Sequence, residues 1–308
     1  MPKHAIIDVG SNTIRLCVYH VKKKEAHRPK FKLMFNHKVM VGLSAYVENG
    51  VLSERGIVKA ADVLRGHLAT AKQFGCVSVH IIATAAVRNC VNSREACAVL
   101  AARTGCPIEV LAAGEEARLG FRGASLSVPI ERGCLVDIGG GSTELSFAAP
   151  KAALTCASIP MGSLSVFAEY VTGLFPSPKE ALEISGEFRR QLEDLFLGEV
   201  PADGLYGIGG SIRSIAKIYG ACFGCQKSAS IDRDQIELLL RMSFDNPDAL
   251  IHEAVRAVPD RMHTFICGCI LLEELFAFLG VSHLRVCKFG LREGYLVEHV
   301  LGGAPAAR

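Results

Sequence analysis

Two short stretches of this chain are near copies of each other. Ile7-Asp8-Val9-Gly10-Ser11-Asn12-Thr13 and Val136-Asp137-Ile138-Gly139-Gly140-Gly141-Ser142-Thr143 each carry an apolar run into an aspartate, then into small and hydroxyl-bearing residues. A buried strand that ends in Asp and turns at glycine presents backbone N–H groups, hydroxyls and one carboxylate at its tip. Those groups hold a phosphate and its divalent cation. Two copies predict two domains facing each other across a phosphate-filled cleft.

The segments around the tips follow one plan twice. Residues 5–9, 14–21 and 31–41 are apolar and β-branched enough for three hairpin-linked antiparallel strands. A helix is predicted from Ser53 to about Phe74, with Ile57, Ala60, Ala61, Leu64 and Leu68 at helical spacing. A strand over 79–83, a helix over 93–103, a strand over 108–111 and a helix over 114–124 follow. From Cys134 the pattern restarts with strands over 134–138, 143–148 and 153–159. Helices are predicted over 163–170 and 179–197, then a strand over 205–208 running into Gly209-Gly210 and a helix from Ser211. Helices over 232–242, 248–257 and 260–279 (the last long and amphipathic), a strand over 283–286 and a closing helix over 291–301 complete the chain. A three-stranded meander followed by parallel βα units fits each half. The expected division is 1–123 and 124–308, with the last helix able to pack back on the first domain.

Composition limits the function classes. Half of the 308 residues are hydrophobic, enough to bury a large core. A net charge of +3 does not point to nucleic acid, so any anion site must be a local concentration of cations. No window approaches the ~18 apolar residues that span a bilayer, and the start lacks a signal-peptide profile. Twelve cysteines then read as reduced thiols of a cytoplasmic protein. Cys222 and Cys225 stand as CxxC, but Cys267 and Cys269 stand as CxC and cannot share one helix face. Scattered small core residues are expected there rather than a zinc site.

Four segments carry chemistry. In the first loop Gly10 lets the backbone approach an anion, Ser11, Asn12 and Thr13 donate, and Arg15 adds charge; an ordinary polar hairpin turn is the bland alternative. The second loop, Asp137 to Glu144, holds three consecutive glycines, each costing roughly 0.5–1 kcal/mol against alanine in a regular element. A turn needing only tightness would use fewer. In the third, Gly209, Gly210 and Ser211 stand where a strand meets a helix N-terminus, which favours phosphate; close strand–helix packing would use the same glycines. That loop matches neither the dinucleotide fingerprint nor the P-loop. The fourth, Gly114-Glu115-Glu116-Ala117-Arg118, opens a helix with adjacent carboxylates. These are either a solvated first turn or the base a hydrolase needs.

Together these segments resemble the exopolyphosphatase/guanosine pentaphosphate phosphohydrolase (Ppx/GppA) family over nearly the whole chain. The matching stretches are IDVGSNTIRL, IIATAAVRN with Arg88, AAGEEARLGFRG, LVDIGGGSTELS, IPMGS, GIGGSIRSIA and FGLREGYLVE. The resemblance implies an α/β fold of two actin-like, ribonuclease-H-like domains with mixed sheets and an interdomain cleft. By position, Glu116 resembles the family's catalytic carboxylate and a metal neighbour, and Asp137 its metal-holding acid. Gly139, Gly140, Gly141, Ser142 and Thr143 resemble the phosphate-binding turn, with Asp8 and the first loop opposite. Glu144 is either functional or a support that orients the loop. Arg88 and Arg15 resemble arginines that meet the polyanion. Longer family members carry a further helical domain, and this chain stops at Arg308.

The expected reaction is Mg²⁺-assisted (or Mn²⁺-assisted) hydrolysis of a terminal phosphoanhydride of inorganic polyphosphate, with Glu116 activating water. Guanosine pentaphosphate is the alternative substrate. An actin-like kinase or ATPase, or a regulator that only binds, are the rival functions. A homodimer, without nucleic acid or membrane, is the expected assembly. The basic run Lys22, Lys23, Lys24, Arg28, Lys30, Lys32 is expected as a solvated hairpin, roughly 26 Å from the first loop at about 3.3 Å per residue. Arg118, Arg213, Lys217, Arg261 and His263 are candidates to extend the anion path, and nothing in the sequence orients them.

Overall fold

Strand β1, Lys3–Val9, is apolar toward both faces because its sheet is covered on both sides. Ala5, Ile7 and Val9 pack with Ile57 and Leu64, whereas Ile6 packs oppositely with Tyr19, Leu119 and Leu296. The computed structural model describes residues 2–22, 30–195, 203–224 and 229–302. The chain divides into two units, Met1–Leu119 with Leu291–Ala307, and Gly120–Gly290.

In the first unit β2 (Thr13–Val21) and β3 (Phe31–Met40) continue β1 as an antiparallel meander. β4 (Val47–Glu48) and β5 (Val51–Leu52) form a small hairpin. Then come α1 (Glu54–Gln73), β6 (Ser78–Ala83), α2 (Ala85–Arg88), α3 (Ser93–Thr104) and β7 (Ile108–Val110). The sheet order is β3-β2-β1-β6-β7, with β1, β6 and β7 parallel. α1 starts where the Ser53 hydroxyl accepts from the Gly56 N–H at 3.4 Å. Its buried stripe of Ile57, Ala60, Ala61 and Leu64 anchors it to the sheet; each large side chain there contributes about 1.5–3 kcal/mol. α4 (Ala113–Ala124) begins in this unit.

The second unit repeats the plan. β8 (Gly133–Ile138), β9 (Thr143–Ala148) and β10 (Thr155–Ile159) form the meander. α5 (Ser163–Tyr170), α6 (Pro178–Leu195), β11 (Leu205–Ile208), α7 (Gly209–Phe223), β12 (Ser230–Asp232), α8 (Arg233–Asp245), α9 (Pro247–Ala257), α10 (Phe265–Leu279) and β13 (His283–Val286) follow. The order is β10-β9-β8-β11-β13-β12, with β8, β11 and β13 parallel. α11 (Leu291–Tyr295) belongs to the first unit and runs into a π-helical turn, Leu296–Val300.

The duplicated meander-plus-parallel-strand plan expected from sequence is thus present in both sheets. The departures have local causes. The helix expected over 260–279 is a 3₁₀ turn at Pro259–Arg261 followed by α10 from Phe265, and α10 is buried almost all round rather than amphipathic. It is enclosed by α5, α6, α7 and α8, so no solvent face exists to mark with polar residues. β12, an antiparallel edge strand three residues long, is too short to leave a periodic signal. The closing helix changes to π geometry, seen in the Leu301 N–H bond to the Leu296 carbonyl at 3.0 Å.

The described cysteines form no disulfide. Cys267 and Cys269 are fully buried, and burial pushes the Cys267 thiol up to about 12. Among the described residues no group of three or more His, Cys, Asp or Glu is placed to hold a metal; Cys225 lies outside them. The mouth of the basic hairpin is closed by the Lys22 N–H to the Lys30 carbonyl at 2.8 Å, with Lys22, Lys30 and Lys32 exposed. Lys23, Lys24 and Arg28 lie outside the described residues. No described helix is long and apolar enough to cross a membrane.

Candidate active site

In the first unit the turn after β1 closes with the Gly10 N–H donating to the Thr13 carbonyl at 3.1 Å. The Asn12 carbonyl accepts from Val41 and Gly42, and the Ser11 carbonyl from Ser44, so the segment after β3 pins the loop. Ser11 and Asn12 are buried. A Cβ at Gly10 would meet only the Thr13 carbonyl at 3.4 Å, an ordinary contact. The turn itself therefore does not demand glycine there. Asp8, at the tip of β1, is ion-paired with Arg292 of α11 at 2.8 Å. Arg15 pairs with Lys38 across β2 and β3, and its guanidinium reaches Asn36 at 3.5 Å.

Arg88 ends α2, the single helical turn that follows β6. Its Nη1 donates to the Leu111 carbonyl at 3.1 Å and to Glu116 Oε2 at 2.5 Å. The two adjacent glutamates of α4 thus have different partners. Glu116 meets Arg88, whereas Glu115 is gripped by Arg118 through Nε and Nη2 at 3.1 and 2.8 Å, which holds its carboxyl below the usual range. Arg118 also bonds Glu298 at 2.6 Å, and His299 lies 3.3 Å from Glu115. Arg118, a candidate for the anion path, is bound into this structural ring.

In the second unit the glycine loop is braced from below. Gly139 N–H closes on the Ser142 carbonyl at 2.9 Å, and the first-turn N–H groups of α5 donate to the Gly139 and Gly140 carbonyls at 2.9 Å. That contact requires Gly162, because a Cβ there would lie 2.6 Å from the Gly140 carbonyl carbon and the Ser142 nitrogen. The glycine of the IPMGS stretch, to which the sequence assigns no role, is explained by this approach. Glu144 is buried and accepts from the Ser142 hydroxyl at 2.6 Å and the Ser158 hydroxyl at 3.0 Å. Thr143 is fully buried and donates to the Met161 carbonyl at 2.6 Å. Both hydroxyls expected to face phosphate are therefore directed into the fold, because the strand and α5 leave them better acceptors inside. What this loop offers an anion is backbone.

Asp137, half-buried at the tip of β8, pairs with Glu144 across β9 and with Ile208 across β11. Directly beside it α7 begins at Gly209. Gly209 has φ +86°, and a Cβ there would collide with the Asp137 carboxylate, so only glycine fits. α7 has no side-chain cap from Ile208 and no acid in its first turn, and the positive dipole end of such a helix favours an anion. Arg261, in the 3₁₀ turn before α10, donates to the Ser211 hydroxyl at 3.1 Å, and its guanidinium fills the space a Cβ at Gly210 would take. Burial pushes its pKa down, with Asp260 and Asp137 opposing. Ser211 Oγ is in turn 3.1 Å from Ser163 Oγ, which donates to the Gly139 carbonyl at 3.2 Å. One polar chain thus joins both glycine loops of this unit to a cation.

Of the candidates that sequence alone leaves unoriented, Arg261 is the one that meets a glycine loop of this unit; its only local signal is its position after Pro259-Asp260. Arg213 is turned instead to the Cys287 and Lys288 carbonyls at 3.3 and 3.2 Å, and Lys217 is exposed on α7. His263 packs edge-on against Phe167 at 5.1 Å between ring centroids, and burial lowers its pKa. Mg²⁺ takes one or two carboxylates together with phosphate oxygens and water rather than a protein cage. Asp137, a single carboxylate at an anion-ready strand tip, fits that mode.

The sequence profile of the Ppx/GppA phosphatase family matches residues 20–302. A putative exopolyphosphatase of Haemophilus influenzae is 24% identical over 305 residues, covering 96% of this chain and 93% of its own length. Exopolyphosphatase 1 of Mycobacterium tuberculosis is 25% identical over 307 residues, covering 95% of this chain and 87% of its own. The crystal structure of the Aquifex aeolicus Ppx/GppA family member superposes with a TM-score of 0.79 at 24% identity, covering 98% of both chains. Each half of the chain has the mixed-sheet, actin-like α/β fold.

Proposed function

Because the chain belongs to the Ppx/GppA phosphatase family, we propose that it is an exopolyphosphatase that releases phosphate from the end of inorganic polyphosphate. The observation that carries this reading is the second-unit tip. There Asp137 beside Gly209, the start of α7, and Arg261 beside Gly210 bring one carboxylate, a helix N-terminus and one cation together. Such a set suits a phosphate that arrives with its own divalent cation. The resemblance of the relatives named exopolyphosphatase supports the substrate class.

In this mechanism the backbone of Gly139–Gly141 and of Gly209–Ser211 grips the terminal phosphates, with Gly10–Thr13 taking the same role in the first unit. Glu144 acts as a brace that holds Ser142. Asp137 is the residue that would hold Mg²⁺, which when bound would supply charge neutralisation at the leaving group. Glu116 orients and deprotonates the attacking water, a contribution typically of 10²–10⁴ in rate. Arg88 keeps Glu116 in place and sets its charge beside the reacting phosphate. Phosphoryl transfer asks for positioning and charge neutralisation rather than covalent chemistry.

The test is phosphate release from polyphosphates of defined length, beside guanosine pentaphosphate, with and without Mg²⁺ and without any acceptor. Release from polyphosphate alone supports the proposal. Turnover of guanosine pentaphosphate in preference moves the assignment within the family, and transfer only to an added acceptor makes the chain a kinase.

A further inference from the structure

α11 and the π turn after it return to the first unit through polar ties rather than apolar packing alone. Tyr19 OH donates to Glu293 at 2.6 Å, Tyr295 OH to Glu109 at 2.5 Å, and Arg292 Nη1 lies 2.8 Å from Asp8 Oδ2. The last of these is the unusual one. Side chains of Arg292 and Asp8 are only 18% and 17% exposed, and Arg292 Nε is buried with no hydrogen-bond partner among the described residues. A buried ion pair roughly breaks even against apolar residues of similar volume. A buried donor left unpaired adds a further cost. Stability is therefore a poor reason for this arginine to be here.

Charge is a better one. Asp8 leads directly into the Gly10–Thr13 loop, and a lone carboxylate there would repel the polyanion that the loop is proposed to hold. The opposing guanidinium cancels that charge and fixes the carboxylate's direction. Burial alone would lower the pKa of Arg292, but Asp8, Cys17, Glu293 and Tyr19 around it hold it up, so the cation persists.

We propose that Arg292 is a positioning residue that neutralises Asp8, so that the first loop can accept a polyphosphate. This rests on the reading of that loop as a phosphate site. The experiment compares wild type, Arg292→Met, Arg292→Lys and Asp8→Asn/Arg292→Met for kcat, KM and the equilibrium Kd of a polyphosphate of defined length, with thermal melts of each. Arg292→Met is expected to raise KM and Kd about tenfold or more by exposing the substrate to an uncompensated carboxylate, with a smaller change in kcat. Arg292→Lys is expected to restore most of the loss. The double variant is expected to bind several-fold tighter than Arg292→Met, because both charges are gone.

A double variant no better than Arg292→Met, or an effect confined to the melting temperature, overturns the proposal. If Arg292→Met does not fold, the double variant decides against Arg292→Lys: Kd values within about threefold support it, and tenfold weaker binding in the double variant overturns it. Wild-type turnover tests the functional proposal separately. A chain that binds polyphosphate without hydrolysing it fails that proposal and still permits this comparison.

Discussion

Arg88 Nη1 contacts Glu116 Oε2 at 2.5 Å and the Leu111 carbonyl at 3.1 Å, so one guanidinium nitrogen ties the end of α2 to the first turn of α4. Both side chains are mostly buried, 15% and 12% exposed, which limits the directions in which Glu116 can face. A carboxylate held this way keeps one direction.

Glu116→Gln keeps the shape and the hydrogen bond from Arg88 while removing the base. We expect kcat to fall by about 10²–10⁴ with KM little changed. Steady-state kinetics with polyphosphate checks this, and near-normal turnover refutes the role of Glu116.

Glu144→Ala removes the acceptor of two hydroxyls, that of buried Ser142 and that of half-buried Ser158. Leaving them unsatisfied is expected to cost about 1–3 kcal/mol, seen as a lower denaturation midpoint, with KM rising as the loop loosens. An unchanged midpoint would show that Glu144 does not brace the loop.

Two glycine substitutions should behave oppositely. Gly209→Ala places a Cβ against Asp137 at φ +86° and is expected to destabilise by about 1–3 kcal/mol. Gly10→Ala meets only an ordinary contact at 3.4 Å, so its melting temperature should stay near wild type while substrate binding weakens. Equal stability losses in the two variants would contradict the geometry.

His67, buried with its ring nitrogen 3.3 Å from the Ile14 carbonyl, has its pKa lowered by burial and by His37 from the ordinary 6.5, despite that carbonyl. Above pH about 6.5 it is neutral in both folded and unfolded chains and contributes no pH dependence. Below that, the unfolded chain takes up a proton that the folded chain resists, so stability falls with pH until the folded group also titrates. His4, His80 and His263 are lowered in the same direction. Denaturant midpoints measured from pH 7.5 to 5 should decline, and His67→Gln should flatten the slope.

Much of the fold was legible because its signals are local. The meander strands show apolar runs cut by turns, and α1 shows Ile57, Ala60, Ala61 and Leu64 at helical spacing behind the Ser53 cap. α10 misled because a helix enclosed by its neighbours has no polar face, and β12 because three residues carry no period. Among site residues, Ser142 and Thr143 were legible as members of the glycine loop but not as inward-facing hydroxyls, since nothing along the chain shows that Glu144 and Met161 supply the acceptors.

The amino-acid order by itself determined two acid-led glycine turns and their place at strand ends, because strand period, glycine and hydroxyl chemistry act over a few residues. Only the tertiary structure decided which charges meet. Asp8 finds Arg292 across 284 positions of sequence, and Ser211 finds Arg261 across 50. Such pairings depend on distances of a few ångströms set by sheet order and helix packing, which no local pattern encodes.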